Sequence, residues 1–221
     1  MLSNEGKRPF LMPFGIALEG QRFGCAVDRF SESYNFEKVE GIPYDYACRV
    51  FASRERIYPL FTALSALVSQ PCTAFLVDYS VLDQNVYKSD VIAKEELLDS
   101  FTRHSFQLVN DGFTHFCIES EDLEIGVEQD KNLEIFGKSL TQVLEVLKGY
   151  GIPKEPKWRL FGDAQLKHVK ISELFEDRKT MKMCEPLPSE EVEKYESDPK
   201  AYKRFFQEIV EELRMKLDEE E

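Results

Sequence analysis

The chain has 221 residues, 43% of them apolar, and a formal charge of -13 from 41 acidic and 28 basic side chains. That length supports one domain burying on the order of 70% of the surface its unfolded chain exposes, so metal or disulfide staples are not required. The acidic balance repels a phosphate backbone and argues against nucleic-acid binding, and no run of about 18 apolar residues offers a membrane span.

The five cysteines, Cys25, Cys48, Cys72, Cys117 and Cys184, are odd in number, scattered and without a C-x-x-C pair. This reads as free thiols in a reducing compartment rather than a disulfide framework. Residues 1–8 are polar with no apolar segment behind them, so the expectation is a soluble cytoplasmic protein.

In chain order, apolar runs at 14–18 and 23–27 flank Glu19-Gly20-Gln21 and predict a β-hairpin. Residues 31–44 read as a connection with one edge strand. A strand at 47–52, a helix at 53–69 and a strand at 73–79 then form a strand-helix-strand unit, whose strands, as parallel neighbours, require a right-handed crossover. In its helix, Ile57, Leu60, Phe61, Leu64, Leu67 and Val68 recur at three- and four-residue steps, Ser53 is placed to cap, and Pro59 requires a late start or a bend.

A polar connection at 80–90 leads to a second helix at 94–110, stopped by Asp111-Gly112. Strands follow at 113–119, 123–128 and 132–136, the last two joined through a tight turn at Gln129-Asp130-Lys131. A third helix starts at Ser139 and ends at Gly149 and Gly151 before Pro153. Residues 1–152 thus read as an α+β core domain, with a mixed or antiparallel sheet covered by two or three helices. Residues 153–197 read as an extended, locally basic segment containing Trp158. Residues 198–221 read as a C-terminal amphipathic helix, capped by Asp198-Pro199 and frayed at its acidic end.

Three constellations are candidates for function. His115 and Cys117 project from one face of a strand, as a nucleophile and its base would, although Cα spacing along a strand makes a pair about 7 Å apart, long for direct proton transfer. With His104 they are weak catalytic candidates, and burial in a central strand is the plainer reading. No histidine stands at metal-ligand spacing, and no phosphate-binding or nucleophile-elbow motif occurs, so neither metal nor cofactor is expected.

The acidic residues Glu119, Glu121, Asp122, Glu124, Glu128, Asp130 and Glu134 form the densest carboxylate patch before the tail. They read as a solvated strand face or as a docking surface for a basic protein, unless the basic island at 154–182 satisfies them internally. The stripe Tyr202, Phe205, Phe206, Ile209 and Leu213 needs a covering surface, in this chain or in a second copy, where it would make a homo-oligomer. Together these point to a non-enzymatic acidic interaction domain, of inhibitor, immunity or adaptor type. The alternatives are an enzyme or small-molecule-binding protein with dispersed residues around Cys117 and His115, and a homo-oligomer built on the last helix.

Overall fold

Alternation is clear at 123–128 (Leu-Glu-Ile-Gly-Val-Glu), which places one set of side chains on each side of a sheet, while 113–119 is largely apolar on both sides. The computed structural model describes residues 10–28, 30–80, 85–155 and 165–218. Its first half runs β1 (Ile16–Leu18), β2 (Ser33–Lys38), β3 (Tyr46–Phe51), α1 (Arg54–Ser65), β4 (Thr73–Asp78), β5 (Asn85–Lys88), α2 (Lys94–Arg103) and α3 (Ser105–Asn110). The second half runs β6 (Thr114–Glu119), β7 (Leu123–Val127), β8 (Leu133–Gly137), α4 (Thr141–Gly149), β9 (Leu166–His168), α5 (Ile171–Glu176), α6 (Ser189–Ser197), α7 (Ala201–Glu212) and β10 (Lys216–Leu217).

The fold is α+β. Eight strands form an antiparallel sheet in the order β10-β5-β4-β6-β7-β8-β3-β2, and β1 and β9 form a separate antiparallel pair. The strand-helix-strand unit β3-α1-β4 is present, but its strands are not neighbours, because β8, β7 and β6 lie between them. Four antiparallel steps leave β3 and β4 running in the same direction, so α1 crosses the middle of the sheet.

All seven described helices contribute to one apolar core with the same strand face, formed by Cys48, Val50, Ala74, Leu76, Phe116, Ile118, Leu123, Ile125, Leu133 and Ile135. Its centre is an aromatic triad: Phe61 of α1 packs edge-on at 4.9 Å from Phe116 of β6, and Phe101 of α2 packs at 5.4 Å from Phe116. The opposite sheet face carries no helix among the described residues.

Several local expectations are corrected. The N-terminal hairpin does not form. The turn at Gly20 is present, with Gln21 N–H donating to the Leu18 carbonyl at 2.9 Å, but β1 pairs with β9 while Phe23 bridges Met183. All three residues of β1 are buried, and a two-stranded hairpin could not cover them alone. Ser53 does not cap α1; its hydroxyl accepts from Leu11 N–H at 3.0 Å and so anchors the N-terminal segment. Pro59 sits within α1. The helix read at 94–110 breaks at His104 into α2 and α3, which lets Leu97 and Phe101 bury from one piece and Leu108 and Val109 from the other.

Residues 153–197 are not simply extended, since α5 and α6 fall there. Trp158, within 156–164, lies outside the described residues, as do 1–9 and 219–221, where the polar start and the frayed end were read. The helix read over 198–221 ends at Glu212. Arg214 takes a positive φ of 51°, Met215 N–H reaches back to the Val210 carbonyl at 2.8 Å, and the chain turns into β10 on the sheet edge. Asp198 does provide capping chemistry, its carboxylate accepting from Lys200 N–H at 3.1 Å and Ala201 N–H at 3.3 Å.

The end of α4 follows the glycine logic of the sequence. Gly151 has φ 70°, its N–H reaches the Lys148 carbonyl at 2.9 Å, and Ile152 N–H reaches Leu147 at 3.0 Å. Cys25 and Cys184 are joined in a disulfide across 159 residues with Cα atoms 5.0 Å apart, which corrects the expectation of five free thiols. Only Cys48, Cys72 and Cys117 are free, and all three are buried. No described helix is long and apolar enough to cross a membrane.

Candidate functional site

The face of the sheet opposite the helices is built by the residues that alternate with the core positions. On β6 these are His115, Cys117 and Glu119; on β7, Glu124 and Gly126; on β8, Glu134 and Phe136; on β3, Ala47 and Arg49. Register then decides which side chains meet. Glu119 of β6 stands directly opposite Glu124 of β7, Cys117 opposite Gly126, Gly126 opposite Glu134, and Glu134 opposite Arg49. Two like charges directly opposed on neighbouring strands destabilise a sheet. Glu128 follows β7 on the same parity, so four glutamates share this face.

Their electrostatics follow from crowding and burial. The side chains of Glu119, Glu128 and Glu134 are 26%, 32% and 13% exposed. Burial pushes the Glu124 carboxyl up to about 7, aided by the charges of Glu119 and Glu134. Burial, with a hydrogen bond shared with Glu134 and that residue's charge, pushes Glu128 up to about 8, against the opposing pull of Arg49.

Two cations flank the group. Arg49 Nε donates to Glu134, and Lys88 Nζ lies 3.4 Å from Glu119 while standing over the Phe75 ring. Thr73 donates its hydroxyl to Glu119 at 2.9 Å. Tyr44 stacks on Phe136 and donates to the Ser120 carbonyl at 3.2 Å; burial and the nearby Glu124 and Glu119 raise its pKa to about 12.

The structure thus brings together four of the seven acids of the stretch 119–134, Glu119, Glu124, Glu128 and Glu134. Glu121 and Asp122 sit in the β6-β7 turn and both pair with Lys138, at 3.0 and 2.8 Å. Asp130 sits in the β7-β8 turn and bonds His168 Nε2 at 2.8 Å. Among the described residues, that is where the basic island reaches the acidic cluster. Arg49 and Lys88 carry no signal in the sequence, because only register places them beside the acids.

The catalytic candidates lie in or near this face but lack the necessary chemistry. Cys117 is buried, and burial together with Glu124 and Glu119 holds its thiol well above its ordinary range. It is therefore not a thiolate at neutral pH. His115 is pushed down to about 4 by burial and by Lys131. Its Nδ1 is 3.8 Å from a Glu128 oxygen, and its Nε2 has no hydrogen-bond partner among the described residues. A Cβ at Gly126 would come within 3.0 Å of that Nε2, so the glycine makes the room in which the ring lies. His104 is elsewhere, buried at the α2-α3 break with Nε2 3.8 Å from Glu212, and burial lowers its pKa.

The helix stripe finds its cover within the chain. Tyr202, Phe205, Ile209 and Leu213 are buried in the main core, with Tyr202 against Phe175 and Tyr195, while half-buried Phe206 packs on Tyr87 of β5. Glu212 fixes α7 to α2 through Ser100 and Arg103. These side chains are therefore spent in cis and do not form an open interface.

No family model, curated protein or solved structure matches this chain. No group of three or more metal-ligating side chains is found among the described residues.

Proposed function

We propose that this chain is a non-enzymatic interaction domain whose acidic sheet face docks a basic segment of a protein partner, in the manner of an inhibitor, neutraliser or adaptor. The observation that carries this reading is the direct opposition of Glu119 and Glu124 across β6 and β7, within a group that also holds Glu128 and Glu134. Repulsion between these directly opposed carboxylates works against folding. A guanidinium or ammonium group placed among these carboxylates relieves the repulsion, ionises Glu124 and Glu128, and sets orientation through charge complementarity.

Two features support docking over catalysis. Cys117 and His115, the side chains available for nucleophilic work, are held in their neutral forms. Arg49 and Lys88 flank the acids at 40% and 41% exposure and leave the middle of the face acidic. A cytoplasmic setting rests on the three buried free thiols, whereas the Cys25–Cys184 bond favours an oxidising compartment or an oxidising episode.

The test is capture from native lysate by the wild-type chain and by the triple variant Glu124→Gln, Glu128→Gln, Glu134→Gln, at low and high salt. A basic protein that binds the wild type, weakens with salt and is lost from the variant supports the reading. Its affinity rises between pH 6.5 and pH 8.5, because binding expels the protons held by Glu124 and Glu128. A partner retained by the variant, or a salt-insensitive one, overturns it.

A further inference from the structure

The segment 181–188 crosses the helix side of the molecule as a strap, away from the acidic face. Phe23 N–H donates to the Lys182 carbonyl at 3.1 Å, and Cys184 N–H donates to the Phe23 carbonyl at 2.9 Å. One residue on, Glu185 accepts from Arg54 Nη2 at 2.7 Å. The Arg54 guanidinium lies 3.9 Å over the Phe14 ring and donates to the Met12 carbonyl at 3.1 Å. The strap thereby walls a groove of about 620 Å³ lined by Phe14, Arg54, Tyr58, Phe106, Glu185 and Pro186.

The covalent tie in this clasp is the Cys25–Cys184 disulfide. Cys184 is exposed and Cys25 half-buried, so the bond is open to an external thiol from the Cys184 side. The remaining cysteines are buried, and burial raises the pKa of each, which removes them from competition.

We propose that Cys25–Cys184 is a thiol-disulfide exchange site, attacked at Cys184 by a low-molecular-weight thiol such as glutathione, and that its reduction releases the strap and opens the wall of the groove. In the first step a thiolate sulfur bonds to Cys184 Sγ, the protein S–S bond breaks, and its electron pair leaves on Cys25 Sγ, which takes up a proton from water. In the second step another thiolate attacks the external sulfur of the mixed disulfide and Cys184 leaves as thiolate. In total, two thiols become one small-molecule disulfide while the protein disulfide becomes two cysteines. Once reduced, the strap keeps its two backbone hydrogen bonds, the Arg54–Glu185 pair and its packing, but no covalent tie.

The experiment equilibrates the full chain in reduced and oxidised glutathione at set ratios, quenches with acid, and maps adducts by mass spectrometry. Brief trypsin treatment then reads the strap at the exposed Lys179 and Lys182. The expected results are a single protein disulfide in oxidising buffer and a glutathione adduct trapped on Cys184 in the variant Cys25→Ser. On reduction, cleavage after Lys179 and Lys182 should rise about tenfold or more, since cleavage follows the open population. If Cys25→Ser does not fold, the wild-type redox titration with its tryptic readout decides. Free alkylation of both Cys25 and Cys184 in oxidising buffer, or equal tryptic rates in both redox states, overturns the proposal.

Discussion

The two faces of the eight-stranded sheet share the same backbone and solve opposite problems. On the helix side, Phe116 meets Phe61 and Phe101, and every neighbouring strand contributes an aliphatic residue, so each contact adds to the next. On the other side, Glu119 opposes Glu124, and Glu134 crowds Glu128 and raises its pKa, so each added charge works against its neighbours. Stability is concentrated on the first face and a standing electrostatic tension on the second, which is the pattern expected where binding is selected at some cost to folding.

Substitutions and pH can break that contrast. The largest effect is expected from Phe116→Ala, which opens a cavity at the aromatic triad and lowers unfolding free energy by about 3–5 kcal/mol, measured by urea denaturation. Arg49→Ala removes the cation bonded to Glu134 and costs about 1–2 kcal/mol at pH 8, reduced by its partial exposure. The loss should shrink at pH 5, where more of the carboxylates are protonated.

The pH dependence of the wild type follows from Glu124 and Glu128, whose folded values of about 7 and about 8 lie above the ordinary 4.5. The native state therefore binds more protons than the unfolded chain, so this stabilisation is complete below 4.5 and is lost as pH rises through 7 and 8. His115, lowered from 6.5 to about 4, acts with the opposite sign between about pH 4 and 6.5, and Lys131, lowered from 10.5 to about 8, acts above pH 8, so the carboxyls dominate between pH 6.5 and pH 8. Thermal or urea unfolding should thus show stability falling by about 1 kcal/mol between pH 6.5 and pH 8. The double variant Glu124→Gln, Glu128→Gln should flatten that slope and be more stable than wild type at pH 8. The smallest effect is expected for Glu121→Gln in the exposed β6-β7 turn, within about 0.5 kcal/mol in the same assay.

Much of the secondary structure was legible because period is a local property. The strands at 113–119, 123–128 and 132–136, the helix face of Leu60, Phe61 and Leu64, and the glycine stop at Gly151 each depend on residues a few positions apart. The N-terminal hairpin failed because the choice of partner for β1 is made by β9, some 150 residues away by register, from Ile16 to His168. The long C-terminal helix failed at Leu213 to Leu217, where an open sheet edge at β5 offered the backbone better pairing than a further helical turn. Of the site, the acidic stretch and the shared side of His115 and Cys117 could be read, while Arg49, Lys88 and the opposition of Glu119 to Glu124 could not.

The sequence by itself determined the α+β class, the net acidic charge, the presence of strands β6 to β8 and the apolar stripe of the last helix, because composition and short-range period need no knowledge of partners. Only the tertiary structure decided the strand order, the burial of Tyr202, Phe205, Ile209 and Leu213 within the chain, the pairing of Cys25 with Cys184, and the gathering of four glutamates on one face. These depend on contacts between segments far apart in the chain. Such contacts are selected by the summed burial of the whole core, and no local stretch encodes that sum.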